Sequence, residues 1–315
     1  MDISKLGYTK PLYILPFDHR ATFAKKMFGL ASEKELSGEQ KHLIKEFKML
    51  VYKGFKDAVE KLIPKDYAAI LCDEEYGDAV LADAQINGFI TMLTLEKSGE
   101  TEFKFQFNDF GEHIQKYHPT FAKVLIRYNP ADRDDLKLRQ KKNLKLVSDY
   151  CHENNFKFLL EVLVLPTDEQ LKDSGGSKTK YDRELRADLT REVIKDLQAF
   201  GVEPDVWKLE GFETIKDYEK IVNVIKTGGR INVNLVVLGR GAGEEKVDEW
   251  LETGTKAEWL EVGPKLEGVI GFAVGRTIFW DALEKFYKGE IGKAEVIQTV
   301  STNFQKFYKV FAPLA

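Results

Sequence analysis

Short runs of consecutive apolar residues recur eight times along the chain, and longer stretches between them return an apolar residue every three or four positions. The runs are 12–17, 68–72, 88–93, 122–127, 157–163, 205–209, 233–238 and 270–275. Unbroken apolar character over so few residues marks a strand covered on both faces, as in a parallel sheet. The intervening stretches carry helical spacing. In 38–62 the apolar positions are Leu43, Phe47, Leu50, Val51, Phe55 and Val59; in 134–153 they are Leu136, Leu138, Leu144, Val147 and Tyr150. Further helices are predicted at 181–200, 215–227, 243–254, 276–287 and 293–310, with weaker patterns at 76–84 and 105–118. Eight strands alternating with about as many helices predict an α/β fold, a single (β/α)₈ barrel over 1–315. A doubly wound open sheet would normally need fewer strands or a split into two domains, and no change of composition marks a linker. The polar stretch Asp173–Lys180 reads as an elaborated active-site loop after the fifth strand.

In a barrel the chemistry gathers at the C-terminal ends of the strands. Read in order, those ends carry Asp18-His19-Arg20, Asp73-Glu74-Glu75, Glu96-Lys97, Lys123 within the fourth strand with Arg127 at its tip, Glu161 within the fifth, and Lys208 and Glu210 within the sixth. The seventh ends in Gly239-Arg240-Gly241-Ala242-Gly243 and the eighth in Gly275-Arg276-Thr277. Each alone has an ordinary explanation: a solvated turn, a flexible glycine loop, or a lysine at a strand edge pointing to solvent. Eight polar clusters in register with eight strand ends do not read as surface decoration.

Lys208 stands out because lysine is depleted in buried strands. A buried lysine can give up its proton more readily and then attack carbonyls. The glycines and arginines at Gly239, Arg240, Gly241, Gly275 and Arg276 suit a phosphate, since backbone N–H groups and a helix N-terminus approach an anion closely there. The two features together suggest Schiff-base chemistry on a phosphorylated ketose. Glu161 is the candidate to move protons, and Lys123 a second cation favouring the free amine.

Composition narrows the classes. Hydrophobic residues make up 43% and charged residues 31% of 315, with a net charge of −4, which argues against a dedicated nucleic-acid or membrane surface. No apolar run approaches the roughly 18 residues of a membrane span, and the N-terminus lacks an apolar signal core, so a cytoplasmic protein is expected. Cys72 and Cys151 read as buried thiols. P-loop and dinucleotide fingerprints are absent, which disfavours nucleotide chemistry. No spacing suggests a metal site, and His19 has no second histidine nearby, so neither metal nor cofactor is expected.

The segments Leu15–Arg20, Ile70–Gly77, Thr94–Gly99, Lys123–Pro130, Phe158–Val162, Val206–Glu210 and Val274–Trp280 resemble the class I tagatose-1,6-bisphosphate aldolase superfamily. Within it they are most similar to the 2-deoxy-5-keto-gluconate-6-phosphate aldolase domain of myo-inositol catabolism. The resemblance spans roughly residues 10–310. It implies Lys208 as the Schiff-base lysine, Glu161 as acid/base, Lys123 as supporting cation and Arg276 at the phosphate. Asp-His-Arg in place of Asp-Gln-Arg, and the Gly-Arg-Gly-Ala-Gly loop, side with the inositol branch.

The expected function is therefore cleavage of a phosphorylated keto-sugar acid. Asp18, His19, Arg20, Asp73, Glu96, Lys97 and Arg127 are its candidate binding residues, and either Arg20 or Arg127 would meet the far carboxylate. Tagatose bisphosphate, fructose bisphosphate and sulfofructose phosphate are alternative substrates, and a non-catalytic sugar-phosphate sensor is the rival. The expected partner is a phosphorylated small molecule. The segment Phe304–Phe311 is compatible with a homo-oligomer contact, although the spacing of Phe304, Phe307 and Phe311 favours core.

Overall fold

The computed structural model describes residues 2–212, 214–239 and 267–312. Eight parallel strands close in chain order: β1 Leu12–Pro16, β2 Ala68–Cys72, β3 Ile90–Thr94, β4 Phe121–Arg127, β5 Lys157–Leu163, β6 Val206–Glu210, β7 Asn234–Leu238 and β8 Val269–Ala273. β8 returns to pair with β1, so no sheet edge is left open. Every strand predicted from apolar runs is present, with ends shifted by two residues at most.

The helices around the barrel are α1 Gly38–Lys61, α2 Glu74–Ile86, α3 Phe110–Tyr117, α4 Asp134–Glu153, α5 Asp168–Asp173, α6 Lys178–Glu184, α7 Arg186–Ala199, α8 Ile215–Ile225, α9 Arg276–Tyr287 and α10 Lys293–Phe311. A capping box between Ser37 and Gln40 starts α1 and satisfies two backbone donors. The single helix predicted over 181–200 is instead α6 and α7, which meet at Leu185. There Arg186 turns inward to Asp182 and to the Gly211 carbonyl. Of the loop expected at Asp173–Lys180, residues 174–177 form the connection, while Asp173 ends α5 and Lys178–Lys180 begin α6. None of its residues lines the barrel-mouth cavity described below. The predicted helix 243–254 lies outside the described residues.

Two apolar layers hold the frame. Alternate strand residues Leu12, Ile14, Ala69, Leu71, Met92, Phe121, Leu159, Val206, Val236 and Ala273 fill the barrel interior. Their neighbours, such as Tyr13, Leu15, Ile70, Leu93, Leu160 and Trp207, face the helices. Phe304 and Phe311 of α10 are buried in that outer layer, which bears out the core reading of this segment. Cys72 and Cys151 are buried free thiols, as expected. Among the described residues, no helix is long and apolar enough to cross a membrane.

Candidate active site

The period-two alternation of a strand decides which side chains reach the barrel mouth. Phe121, Leu159 and Val206 point into the barrel, so Lys123, Glu161 and Lys208, each two residues on, point the same way one layer higher. They border a cavity of about 550 Å³ at the C-terminal ends of the strands. Lys208 is only 4% exposed. Glu161 and Lys208 are register partners on adjacent strands, and the Lys208 ammonium donates to Glu161 Oε2 at 2.8 Å.

Lys123 is 1% exposed. Its Nζ lies 2.9 Å from Asp18 Oδ2, 2.5 Å from Glu96 Oε1 and 3.1 Å from Glu161 Oε2. Thr94, its register partner on β3, donates its hydroxyl to Asp18 Oδ2 at 3.2 Å. Two cations and three carboxylates thus form one buried network. Burial pulls the Lys123 proton affinity down, but Asp18, Glu96 and Glu161 outweigh it, so the ammonium is held well above the ordinary lysine range. Burial likewise pushes Asp18 up, and the Lys123 ammonium foremost, with Lys208, reverses this and holds it far below the carboxylate range. Glu161 is lowered in the same manner: burial opposes, and Lys208 then Lys123 prevail. Lys123 is therefore a counter-ion shared by three carboxylates, and more than the lone neighbouring cation expected for Lys208.

On the β8 side, Gly275 precedes α9 and Arg276 opens it. A Cβ at Gly275 would come within 2.3 Å of the Pro16 carbonyl oxygen, so the close passage of this turn past β1 requires glycine. Arg276 lines the cavity and, among the described residues, no carboxylate pairs with it. Burial alone lowers its proton affinity. A partly buried guanidinium at a helix N-terminus favours a negative charge beside it. Gly239 lines the same wall, whereas Arg240 and Gly241 lie outside the described residues.

The other candidates divide. Asp18, His19, Arg20, Glu96, Lys97 and Arg127 all line the cavity. Burial pushes His19 down to about 3, so its imidazole is neutral at physiological pH. Arg20 is buried and donates through Nη2 to the Glu96 carbonyl at 2.5 Å. Arg127 is less buried and donates to the Glu100 carbonyl at 2.7 Å. Lys97 is at the rim, 3.7 Å from Glu100. Asp73 does not join them. β2 ends at Cys72, and the chain turns at once into α2, whose first turn Asp73 caps by accepting from the Tyr76 N–H at 2.9 Å. Its other oxygen pairs with Lys48 in the layer between barrel and helices. The expectation of Asp73 as a substrate ligand is corrected accordingly.

The model of one protein family matches residues 5–313. The chain belongs to that family, described as an uncharacterized protein conserved in bacteria (DUF2090). A search of curated proteins returns no match. Among solved structures, this DUF2090 member is similar to the Corynebacterium glutamicum protein Cgl0159, with 16% identity, a TM-score of 0.56, and coverage of 96% of this chain and 88% of that one. An archaeal fructose 1,6-bisphosphate aldolase matches at 11% identity and a TM-score of 0.54, over 94% of both chains. A fructose-bisphosphate aldolase from Slackia heliotrinireducens matches at 11% identity and 0.54, over 96% of this chain and 88% of that one. At such identities the likeness is one of fold.

Two side chains were not singled out from the sequence, Thr94 within the DUF2090 site and Lys48 beneath the barrel wall outside it. Thr94 continues the inward parity of Met92, but a threonine in a strand carries no signal of its own. Lys48 carried one: it lies among Ile44, Phe47, Val51 and Phe55, on the stripe of α1 that faces the core. A lysine on such a stripe needs a buried carboxylate, and Asp73 is it.

Proposed function

We propose that this protein is a cofactor-free class I aldolase that cleaves a phosphorylated keto-sugar acid, 2-deoxy-5-keto-gluconate 6-phosphate, into dihydroxyacetone phosphate and malonate semialdehyde. The observation that carries this reading is the Lys208–Glu161 pair, a nearly buried amine and a carboxylate 2.8 Å apart on the wall of a cavity of sugar-phosphate size. Binding alone has no use for such a pair. Schiff-base chemistry needs both: Glu161 takes the proton that Lys208 must lose, the amine nitrogen adds to the C5 carbonyl, and water leaves with the carbonyl oxygen. The iminium then accepts the electron pair of the C3–C4 bond while the C3 hydroxyl loses its proton to a carboxylate of the network. Fructose-bisphosphate aldolases among the barrels of matching fold accord with this reading.

The charges at the mouth fit a substrate anionic at both ends. Arg276 follows β8 and Arg127 ends β4, which stand diametrically opposed in an eight-strand closed barrel, with β6 and Lys208 midway between them. The 6-phosphate is assigned to Arg276 with Gly275 and Gly239, and the carboxylate to Arg127, because Arg20 is buried against the Glu96 backbone. The test is a parallel assay of 2-deoxy-5-keto-gluconate 6-phosphate, tagatose 1,6-bisphosphate, fructose 1,6-bisphosphate and sulfofructose phosphate, with dihydroxyacetone phosphate as the readout. Fastest turnover of the keto-acid supports the proposal. Faster turnover of a bisphosphate or the sulfo-sugar reassigns the substrate, and thermal stabilisation by these compounds without product makes the protein a sensor.

A further inference from the structure

Between β3 and α3 the chain makes a short antiparallel hairpin over residues 95–106, and its part from Glu96 to Phe103 lines the cavity. Glu96 pairs with Phe105 across it, and the Lys97 N–H donates to the Lys104 carbonyl at 2.9 Å. No residue from 97 to 102 is buried, so apolar packing does not fix the tip and polar bonds must. The ion pair of Glu102 with Arg139 is partly exposed, and such pairs hold little. Gln140 is different. It is 0% exposed, on the inner stripe of α4 with Leu144, Val147 and Cys151. Its Oε1 accepts from the Phe103 N–H at 3.1 Å, and its Nε2 donates to the Arg127 carbonyl at 3.0 Å. Arg127 in turn donates from Nη1 to the Glu100 carbonyl at 2.7 Å. The circuit is closed: Gln140 holds the hairpin, the hairpin holds the Arg127 side chain, and the Arg127 backbone is held by Gln140.

We propose that Gln140 is a positioning residue: its carboxamide joins the hairpin and the tip of β4 into one wall, and so sets where Arg127 meets the anionic far end of the substrate. The bond to Glu100 takes one guanidinium N–H and orients the planar fork, whose other donors suit a carboxylate. The inference rests on the assignment of that carboxylate to Arg127 and deepens it. Gln140 does not line the cavity and acts through Arg127.

Gln140→Met keeps the length of the side chain and removes both bonds. Leaving a buried donor and acceptor unsatisfied corresponds to roughly tenfold to a hundredfold in an equilibrium. Trypsin should therefore cut native Gln140→Met after Lys97 or Lys104 about tenfold faster than wild type, with cleavage elsewhere in the chain unchanged. KM for the preferred doubly anionic substrate should rise about tenfold with kcat near wild type. Borohydride trapping of dihydroxyacetone phosphate, which has no far anion, should not change. Equal hairpin cleavage in the two proteins, or an unchanged KM, overturns the inference and leaves the Lys208 assignment standing. A matching loss of turnover and trapping marks a general loss of structure and overturns it too. If Gln140→Met does not fold, amide exchange in the wild type decides. Exchange of the Phe103 N–H about tenfold slower than that of exposed Thr101 supports the clamp, and equal exchange overturns it. Failure of the wild type to trap dihydroxyacetone phosphate at Lys208 overturns the aldolase reading, while hairpin cleavage and exchange still decide whether Gln140 holds this wall.

Discussion

Glu161 and Lys208 occupy the same rung of adjacent parallel strands, and a 2.8 Å hydrogen bond joins carboxylate to ammonium across the barrel mouth. Because both side chains rise from rigid strands, the distance is set by the barrel and not by a loop. Glu161→Gln preserves shape but cannot take the Lys208 proton. Turnover is expected to fall by about 10²–10⁴, with the variant folded and with imine formation slowed. Steady-state and single-turnover rates check this, and wild-type turnover in Glu161→Gln would remove Glu161 from the chemistry.

Lys123 offers a pH test. Asp18 and Glu161 have ordinary values of 3.8 and 4.5 and are both held below them in the fold. Such groups contribute stability that is present above those ordinary values and is lost as pH falls through the lower folded ones. Lys123→Met removes the shared counter-ion and leaves Asp18, Glu96 and Glu161 without it. Breaking a buried ionic set this way costs about 3–5 kcal/mol at neutral pH. The sign of the pH dependence then changes: uncompensated buried carboxylates bind protons more readily when folded, so the variant should gain stability on moving from pH 7 toward 5. The same upward move of Glu161 shifts the acid limb of its pH–rate profile to higher pH. Urea melts across pH 5–8 check the first point and kcat profiles the second.

Arg276 should govern phosphate recognition without touching the amine. Charge-assisted hydrogen bonds of this kind correspond to roughly tenfold to a hundredfold in binding. Arg276→Ala is expected to raise KM for phosphorylated substrate by about that factor, while borohydride trapping of unphosphorylated dihydroxyacetone stays near the wild-type level. Equal losses for both ketones would place Arg276 elsewhere in the mechanism.

Asp73 should behave oppositely. It caps α2 and neutralises Lys48 under the barrel wall, away from the cavity. Asp73→Asn keeps the cap but leaves Lys48 buried without a counter-charge, which costs about 3–5 kcal/mol. A lowered melting temperature is expected, with turnover per folded molecule near wild type. A selective loss of turnover would return Asp73 to the site.

The reach of the sequence follows from what each signal measures. Apolar runs report burial on both faces, which is why the ends of β1–β8 were legible to within two residues. Lys123, Glu161 and Lys208 were legible as charges inside apolar runs, whereas their common inward face rests on the parity that Phe121, Leu159 and Val206 set in the folded strands. Asp73 shares that parity with Ala69 and Leu71, yet the chain leaves the strand one residue earlier, and parity says nothing past a strand end. The break at Leu185 leaves no mark in the sequence, because α6 and α7 carry compatible helical spacing on both sides of it. The three carboxylates on Lys123 come from β1, β3 and β5, and only closure of the barrel brings them together.

The most direct test of the account is covalent. Incubation with substrate and borohydride, followed by digestion and peptide mass spectrometry, should place one reduced adduct on the peptide containing Lys208. Lys208→Ala should carry no adduct and show no turnover. Turnover by the wild type with no adduct at Lys208, or retained activity in Lys208→Ala, would contradict the Schiff-base mechanism.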